Sequence, residues 1–337
     1  MFGTITLLPL LFLLLLRHPS PVSSQSTSSQ TPLLAIDFPD PAILLDSSGT
    51  YYAFATSSGV INIQAASAPS PSGPWTYLSQ TDLLPDGPGP WTAGPGSQTW
   101  APSVVELAPQ KYVLYYSGQL SGNNSAFHCV GAATASSVLG PYTPLAEPFA
   151  CPLDEGGAID PSGFLDPVSG KRYVVYKIDG NSLGNGGSCN NDVSPIVPTP
   201  ILLQEVDVDD GITLVGKPVK ILDRDEQDGP LVEAPDLWWD GEGGQYVLFY
   251  SNHCWSEPGY SVNYATSPKI GGVYEKAGEP LVATGDGANV TAPGGASSLP
   301  GGEIVFHGFC GDGRCLFGLG IAGGGEDGVV RVEGVYS

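Results

Sequence analysis

A short strand motif recurs five times along the chain, and this repeat constrains the fold more than any other feature. The copies are rich in aromatic and β-branched residues and follow polar or glycine-containing turns, which is typical of buried strands. They occupy residues 51–56 (YYAFAT), 112–117 (YVLYYS), 173–178 (YVVYKI), 246–251 (YVLFYS) and 304–309 (IVFHGF). Their starts lie 61, 61, 73 and 58 residues apart. Spacing of this size indicates a repeat architecture.

Each copy is preceded by one short apolar run and followed by a third, with a fourth in most repeats. Helical periodicity is almost absent. Five units of four antiparallel strands predict an all-β fold, a five-bladed β-propeller, over residues 33–337. Because the first strands of the blades surround one axis, the residues at their entrances converge on one central site. A long insertion, residues 180–199, accounts for the 73-residue spacing in blade three.

Carboxylates stand at three of the five predicted entrances. Four entrances carry a proline-containing tripeptide and the fifth, at 294–297, has small residues; the tripeptides begin at Asp40, Trp100, Asp160 and Glu233. Any one of these acidic residues alone is more often part of a turn. Three at equivalent positions of one repeat favour catalysis, because glycoside hydrolysis needs an acid, a base and a residue that tunes the acid.

The same segments resemble glycoside hydrolase family 43, which contains arabinanases, α-L-arabinofuranosidases and β-xylosidases. The resemblance is carried by 38–43 (FPDPAI), 100–102 (WAP), 158–161 (AIDP) and 232–235 (VEAP), in the same order and blade spacing. It implies that Asp40 is the general base and Glu233 the general acid, and that Asp160 orients the acid and modulates its pKa. It also implies inversion at the anomeric carbon, with a water between base and sugar.

Four further residues are candidates for the binding pocket. Trp100 at the blade-two entrance would stack on a sugar, with a core aromatic as the alternative. Phe164 and Trp255 are weaker pocket candidates. His307 is a buried structural histidine or, as the resemblance implies, a residue near the axis that holds waters or a calcium ion with waters. We expect no cofactor for the chemistry, and any calcium would be mostly water-coordinated.

Two acidic residues lie close to these motifs, and we expect neither in the pocket. Asp37 precedes Asp40 by three residues, and Asp236 follows Glu233 by three. We expect both to flank the starts of the strands.

The net charge and the amino-terminal sequence restrict the possible partners and the cellular compartment. The formal net charge is −22, from 12 Lys and Arg against 34 Asp and Glu, which argues against nucleic acid as a partner. Solubility alone is the other interpretation of this charge. Residues 1–24 predict a signal peptide, residues 25–32 a disordered leader, and no later stretch predicts a membrane span. We therefore expect a secreted monomer, with a polysaccharide or oligosaccharide as its partner.

Six cysteines fit an oxidising compartment. Spacing alone does not determine their connectivity, but proximity in the repeat suggests Cys129–Cys151 and Cys310–Cys315, which leaves Cys189–Cys254 by elimination. Sequons at Asn123 and Asn289 are candidate glycosylation sites.

Three hypotheses for function follow. The first is a hydrolase of arabinose- or xylose-containing plant cell-wall polysaccharides, with α-L-arabinofuranosidase or arabinanase activity ahead of β-xylosidase activity. The second is a non-catalytic carbohydrate-binding propeller, against which the three carboxylates count. The third is a scaffold for protein partners, whose axis would need no carboxylates. Hydrolysis that is lost in Asp40→Asn separates the first from the other two.

Overall fold

The computed structural model describes Met1 and residues 30–96, 98–286, 290–324 and 328–336. Apart from Met1, the predicted signal peptide lies outside the described residues. Residues 25–29 of the predicted leader lie outside them as well. Within these ranges, no helix has the length and apolar character needed to cross a bilayer.

The described chain forms five antiparallel four-stranded sheets, each built from consecutive strands, so the predicted five-bladed β-propeller is confirmed. Blade one contains β1 (Ala42–Leu45), β2 (Tyr51–Ala55), β3 (Gln64–Ala68) and β4 (Thr76–Tyr77). Blade two contains β5 (Thr99–Ala108), β6 (Lys111–Gln119), β7 (His128–Ala135) and β8 (Thr143–Pro144). Blade three contains β9 (Ala158–Leu165), β10 (Arg172–Ile178), β11 (Ile201–Val206) and β12 (Leu214–Leu222). Blade four contains β13 (Val232–Asp240), β14 (Gln245–Asn252), β15 (Ser261–Ser267) and β16 (Glu275–Lys276). Blade five contains β17 (Thr291–Ser298), β18 (Glu303–Cys310), β19 (Gly313–Ala322) and β20 (Arg331–Val335).

The recurring motif is the second strand of each blade, and its side chains alternate between the two neighbouring blades. In blade four, Leu248 packs into the cluster shared with blade three, whereas Phe249 packs into the cluster shared with blade five. This is the two-residue period of a strand that is buried on both faces. The second strand of every blade does the same. The apolar core therefore lies in the interfaces between blades and holds their first strands around the axis.

The segment before blade one closes the ring by binding to blade five. The backbone N–H of Leu33 donates to the carbonyl of Leu316 at 2.8 Å, and that of Phe38 donates to the carbonyl of Arg314 at 2.7 Å. The chain therefore enters blade one already attached to β19, and Asp40 follows two residues after this contact.

Three disulfides fasten loops to the blades, and they join Cys129 to Cys151, Cys189 to Cys254 and Cys310 to Cys315. The second links the blade-three insertion to the loop after β14. The insertion contains two short 3₁₀ helices, Gly180–Leu183 and Ser188–Asn190. It begins directly after Asp179, so this disulfide braces two segments that border the axis.

Candidate active site

Apart from Ala292 in blade five, which does not line the pocket, one residue at each blade entrance adopts a left-handed backbone, and these five residues surround the axis. Four are not glycine and precede proline, a strained combination that proteins retain mainly at functional sites. The five residues and their φ angles are Asp40 (51°), Ala101 (42°), Asp160 (56°), Ala234 (51°) and Gly295 (61°). These residues and the two that follow each of them line one axial pocket.

Glu233 does not occupy the position that corresponds to Asp40 and Asp160. It lies one residue before the left-handed Ala234, and so matches Trp100 in blade two, because both precede the left-handed residue. The prediction of three equivalent carboxylates is therefore wrong for Glu233. The structure nevertheless places Glu233 close to Asp160, since Asp160 Oδ2 accepts the backbone N–H of the adjacent Ala234 at 2.9 Å.

Asp40 has an environment that favours its ionised form. Thr56 Oγ1 donates to its Oδ2 at 2.6 Å, and Arg314 Nη1 lies 3.7 Å from its Oδ1. Burial by itself would raise the pKa of Asp40, but Arg314, His307 and the Thr56 hydroxyl together hold it below its usual value. Asp40 is therefore a carboxylate across the mildly acidic and neutral range and can accept a proton.

Asp160 has the opposite character. Burial, followed by the charge of Glu233, raises the pKa of Asp160 well above its usual value, and Asp40 adds to the rise while Lys177 opposes it. The environments of Asp40 and Asp160 thus shift the pKa values of the two carboxyl groups in opposite directions. Acid–base catalysis requires such a difference between neighbouring groups.

Glu233 is nearly buried, and a different donor holds each of its oxygens. The hydroxyl of Tyr260 donates to Oε1 at 2.9 Å, and Lys177 Nζ lies 3.1 Å from Oε2. Lys177 is fully buried and also lies 3.1 Å from Asp179 Oδ1. The sequence analysis missed both donors. A lysine inside the motif YVVYKI was the signal that would have pointed to Lys177.

Trp100 stacks on His128, with ring centroids 3.6 Å apart and an angle of 19° between the ring planes. Trp100 is half-buried, so it remains a candidate for stacking on substrate. Phe164 lies elsewhere. It packs edge-on against Tyr246 in the apolar cluster between blades three and four. Phe164 is not among the residues that line the axial pocket, and its apolar side chain contributes to the core between blades.

His307 lies at the axis, fully buried between the Asp40 backbone and the ring of Tyr260. The N–H of Asp40 donates to Nδ1 at 3.0 Å, which places the ring proton on Nε2, an atom without a partner among the described residues. Burial lowers the pKa of His307 to about 3, so the ring is neutral.

A protonated Nε2 does not suit a metal ligand, because a cation needs the lone pair that the proton occupies. The described residues also contain no group of three or more metal-ligating side chains. The residues around His307 therefore do not fit a protein-held calcium ion, and no step below involves one.

Two acidic residues flank the motifs as the sequence indicated, but only one lies where we expected. Asp37 is exposed and accepts the backbone N–H of Arg314 at 2.8 Å, outside the pocket. Asp236 lines the axial pocket, contrary to expectation, because it follows the left-handed Ala234 by two residues and so turns inward. It accepts hydrogen bonds from Ser162 Oγ at 2.8 Å and from the Ser298 N–H at 2.9 Å.

Trp255 and the sequon asparagine Asn123 lie near the surface. Trp255 is 46% exposed, and the Arg314 guanidinium lies 4.8 Å from the centroid of its ring. Because Arg314 also faces Asp40, Trp255 lies at the rim on that side. Asn123 lies in an exposed 3₁₀ turn, Gly122–Asn124, whereas Asn289 lies outside the described residues.

A β-propeller with acidic residues of unlike protonation around one axial pocket has the features of a glycosidase. The family model of glycosyl hydrolases family 43 matches residues 29–309. This chain belongs to that family.

Individual relatives give a consistent picture. The chain is 28% identical over 280 residues to a probable arabinan endo-1,5-alpha-L-arabinosidase A of Aspergillus flavus, an alignment that covers 81% of this chain and 74% of the relative. A thermostable family-43 glycoside hydrolase has a TM-score of 0.72 at 23% identity, covering 92% of this chain and 97% of the other. An endo-1,4-beta-xylanase from Bacteroides thetaiotaomicron has a TM-score of 0.68 at 21% identity, covering 91% and 98%. These two structural likenesses concern the fold.

Proposed function

We propose that this protein is a secreted, inverting glycoside hydrolase that cleaves arabinose- or xylose-containing plant cell-wall polysaccharides or oligosaccharides. Activity on α-L-arabinofuranosyl linkages, as an arabinofuranosidase or arabinanase, is the first choice. The observation that carries the proposal is that Asp40 and Asp160 line one axial pocket, with Glu233 directly before the pocket residue Ala234, and that the three carboxyl groups have different partners. The name of the Aspergillus relative supports the choice of arabinan.

Asp40 and Glu233 divide the proton transfers. Glu233 donates a proton to the glycosidic oxygen as the bond from that oxygen to the anomeric carbon breaks. Asp40 takes a proton from a water whose oxygen forms the new bond to the same carbon from the opposite face. The environment of Asp40 supports this role, since Thr56 and Arg314 stabilise its ionised form.

Asp160 modulates the acid. Its pKa is raised by burial and then by the charge of Glu233, so the two carboxyl groups lie close enough to influence each other electrostatically. In this role Asp160 supplies no atom to the reaction. It keeps a proton available at Glu233 and, through the Ala234 N–H, fixes the backbone that carries the acid.

Three features support the proposed setting of the enzyme. The three disulfides and the predicted signal peptide at residues 1–24 support secretion. All blades contribute to one pocket, which supports a single catalytic domain over residues 33–337 that acts as a monomer. The chemistry needs an acid, a base and water, so we propose that no cofactor is required.

Activity on β-xylosyl linkages is the second candidate, because the endo-1,4-beta-xylanase from Bacteroides thetaiotaomicron has the same fold over almost its whole length. A non-catalytic carbohydrate-binding propeller is the alternative outside the class of enzymes.

A substrate screen separates these candidates. The purified mature protein and its Asp40→Asn variant are assayed on aryl α-L-arabinofuranoside, aryl β-xyloside, debranched arabinan and xylan. We expect turnover of an arabinofuranosyl substrate that is lost in Asp40→Asn. Turnover of xylosyl substrates alone would move the enzyme to the second candidate. Binding of these polysaccharides without turnover would overturn the assignment as a hydrolase.

A further inference from the structure

Hydrogen bonds between neighbouring blades form a ring around the axis. At four blade boundaries, the N–H of the left-handed entrance residue donates to the side chain at the axial end of the preceding blade's second strand. The four bonds join Asp40 to His307 Nδ1 (3.0 Å), Ala101 to Thr56 Oγ1 (2.9 Å), Asp160 to Ser117 Oγ (2.9 Å) and Gly295 to Ser251 Oγ (3.0 Å). Each accepting side chain thus satisfies a backbone group that would otherwise be buried without a partner.

The fifth boundary, between blades three and four, departs from this pattern. Strand register places Lys177 where the other blades have Thr56, Ser117, Ser251 and His307, since Lys177 pairs with Ile159 as Ser117 pairs with Trp100. An ammonium group has no lone pair and accepts no hydrogen bond. The N–H of Ala234 is accepted instead by the carboxylate of Asp160.

Burial of a lysine at this position is costly without compensation, because a charge removed from water must be paired. The side chain of Lys177 has no exposed surface, and its ammonium lies 3.1 Å from both Asp179 and Glu233. Burial alone would lower the pKa of Lys177, but Asp179, Glu233 and Asp160 raise it above its usual value, so the group stays charged. A hydroxyl satisfies the structural role at three other boundaries, so the repeat itself does not require this cation.

We propose that Lys177 is a positioning residue for the reaction: its ion pair holds the Glu233 carboxyl group in place, and its charge sets the upper pH limit of activity. This inference rests on the proposed function, in which Glu233 is the general acid. Lys177 and Tyr260 together fix both oxygens of Glu233, and therefore the direction in which the acid faces the glycosidic bond.

The charges around Glu233 act in opposite directions on its protonation. Lys177 favours the ionised form, whereas Asp160 and the more distant Asp40 disfavour it. Asp179 partly offsets the charge of Lys177, and Arg314 offsets that of Asp40. Tyr260 is neutral because burial and Glu233 raise its pKa well above the usual value, and the buried His307 behind it is also neutral.

Removal of Lys177 and removal of Asp160 should therefore move the alkaline limb of the pH–rate profile in opposite directions. In Lys177→Ser, which places at this position the residue that blades two and four use, we expect the limb to move upward by roughly one pH unit or more. In Asp160→Asn we expect it to move downward. KM should change little in Lys177→Ser, because Lys177 contacts Glu233 and Asp179 within the described chain and is sealed from the pocket.

Two control variants separate charge and position from general effects. Lys177→Arg keeps the cation and should keep the limb near its wild-type position. Lys171→Ser removes an exposed lysine from the same blade and should leave the profile unchanged. If Lys177→Ser does not fold, the double variant Lys177→Met with Asp179→Asn fills the volume and removes both charges, and a smaller upward shift is expected because Asp179 partly offsets Lys177 in wild type. An alkaline limb that stays in place in a folded variant without Lys177 would overturn the proposal.

A measurement without turnover distinguishes failure of this inference from failure of the proposed function. Protein labelled with ¹³C at the glutamate carboxyl carbon gives a titrating signal for Glu233, assigned by its loss in Glu233→Gln. We expect a higher titration midpoint for that signal in Lys177→Ser than in wild type, whatever the substrate. Equal midpoints would overturn the inference even if the enzyme is active, and absence of hydrolysis would overturn only the proposed function.

Discussion

The carboxylate of Asp160 in blade three accepts the backbone N–H of Ala234 in blade four at 2.9 Å. Ala234 follows Glu233 directly, so this bond joins the proposed modulator to the backbone of the proposed acid. This hydrogen bond between two blades therefore helps to set the spacing of the two carboxyl groups, and with it the electrostatic influence of each on the other.

Glu233→Gln removes the proton that the leaving oxygen needs. We expect activity on unactivated arabinan or xylan to fall by about 10²–10⁴-fold, the usual contribution of a general acid. Aryl glycosides with activated leaving groups need less protonation and should retain more of their turnover. Comparison of kcat on both substrate types checks this, and an equal loss on both would contradict the assignment of Glu233 as the acid.

Asp40→Asn removes the base that activates water, so both substrate types should lose activity to a similar degree. In wild type, Arg314, His307 and Thr56 outweigh the effect of burial and lower the pKa of Asp40. The acidic limb of the pH–rate profile should therefore lie below the usual pKa of an aspartate. Asp37→Asn, three residues earlier and outside the pocket, is the matched control and should keep wild-type rates. An acidic limb near pH 6 would be inconsistent with Asp40 as the base.

Gly294→Ala tests the support of the acid by Tyr260. A Cβ at Gly294 would overlap the ring of Tyr260, whose hydroxyl donates to Glu233. We expect kcat to fall by at least about tenfold, since a displaced acid loses its alignment with the leaving oxygen. Gly278→Ala is the control, because a Cβ there meets nothing within 4 Å. Wild-type kcat in Gly294→Ala would show that the hydroxyl of Tyr260 does not position the acid.

Asp236 makes the stability of the fold depend on pH. Burial raises its pKa to about 6, against hydrogen bonds from Ser298 and Ser162 that lower it. Between about pH 4 and 6, the folded protein holds a proton that the unfolded chain has released, so the stabilising contribution falls as the pH rises. Two pKa units correspond to roughly 3 kcal/mol.

Asp236→Asn removes this titration. Denaturant unfolding at pH 4, 5, 6 and 7 should show the difference in unfolding free energy between the variant and wild type shifting in favour of the variant as the pH rises. A difference that is constant across this range would indicate that Asp236 does not titrate between the two states.

The repeat predicted the fold because second strands buried on both faces, such as 246–251, must be apolar and β-rich whatever the local chemistry. The positions of individual side chains at the axis were harder to predict. Asp40 and Asp160 take left-handed backbone themselves, whereas in blade four Ala234 does so and Glu233 precedes it. Both arrangements begin with an acidic residue close to a proline, and sequence alone does not reveal which residue adopts the positive φ.

Lys177 was missed for a related reason. Alignment of the repeats by their leading tyrosine sets Ile178 against Ser117 and Ser251, but the strand pairing places Lys177 there. From its leading tyrosine to its axial end, the second strand of blade three is one residue shorter than those of blades two and four. This difference arises from the strand pairing and is not visible in the motif. Phe164 illustrates the converse, because an aromatic residue near a predicted site is equally suited to an interface between blades.

The anomeric configuration of the first-formed sugar tests the central claim most directly. Proton NMR at early times, before mutarotation, follows hydrolysis of an aryl α-L-arabinofuranoside by the wild-type protein. If Asp40 delivers water to the face opposite the leaving group protonated by Glu233, the first product is the β anomer. Initial formation of the α anomer would contradict the roles assigned to Asp40 and Glu233.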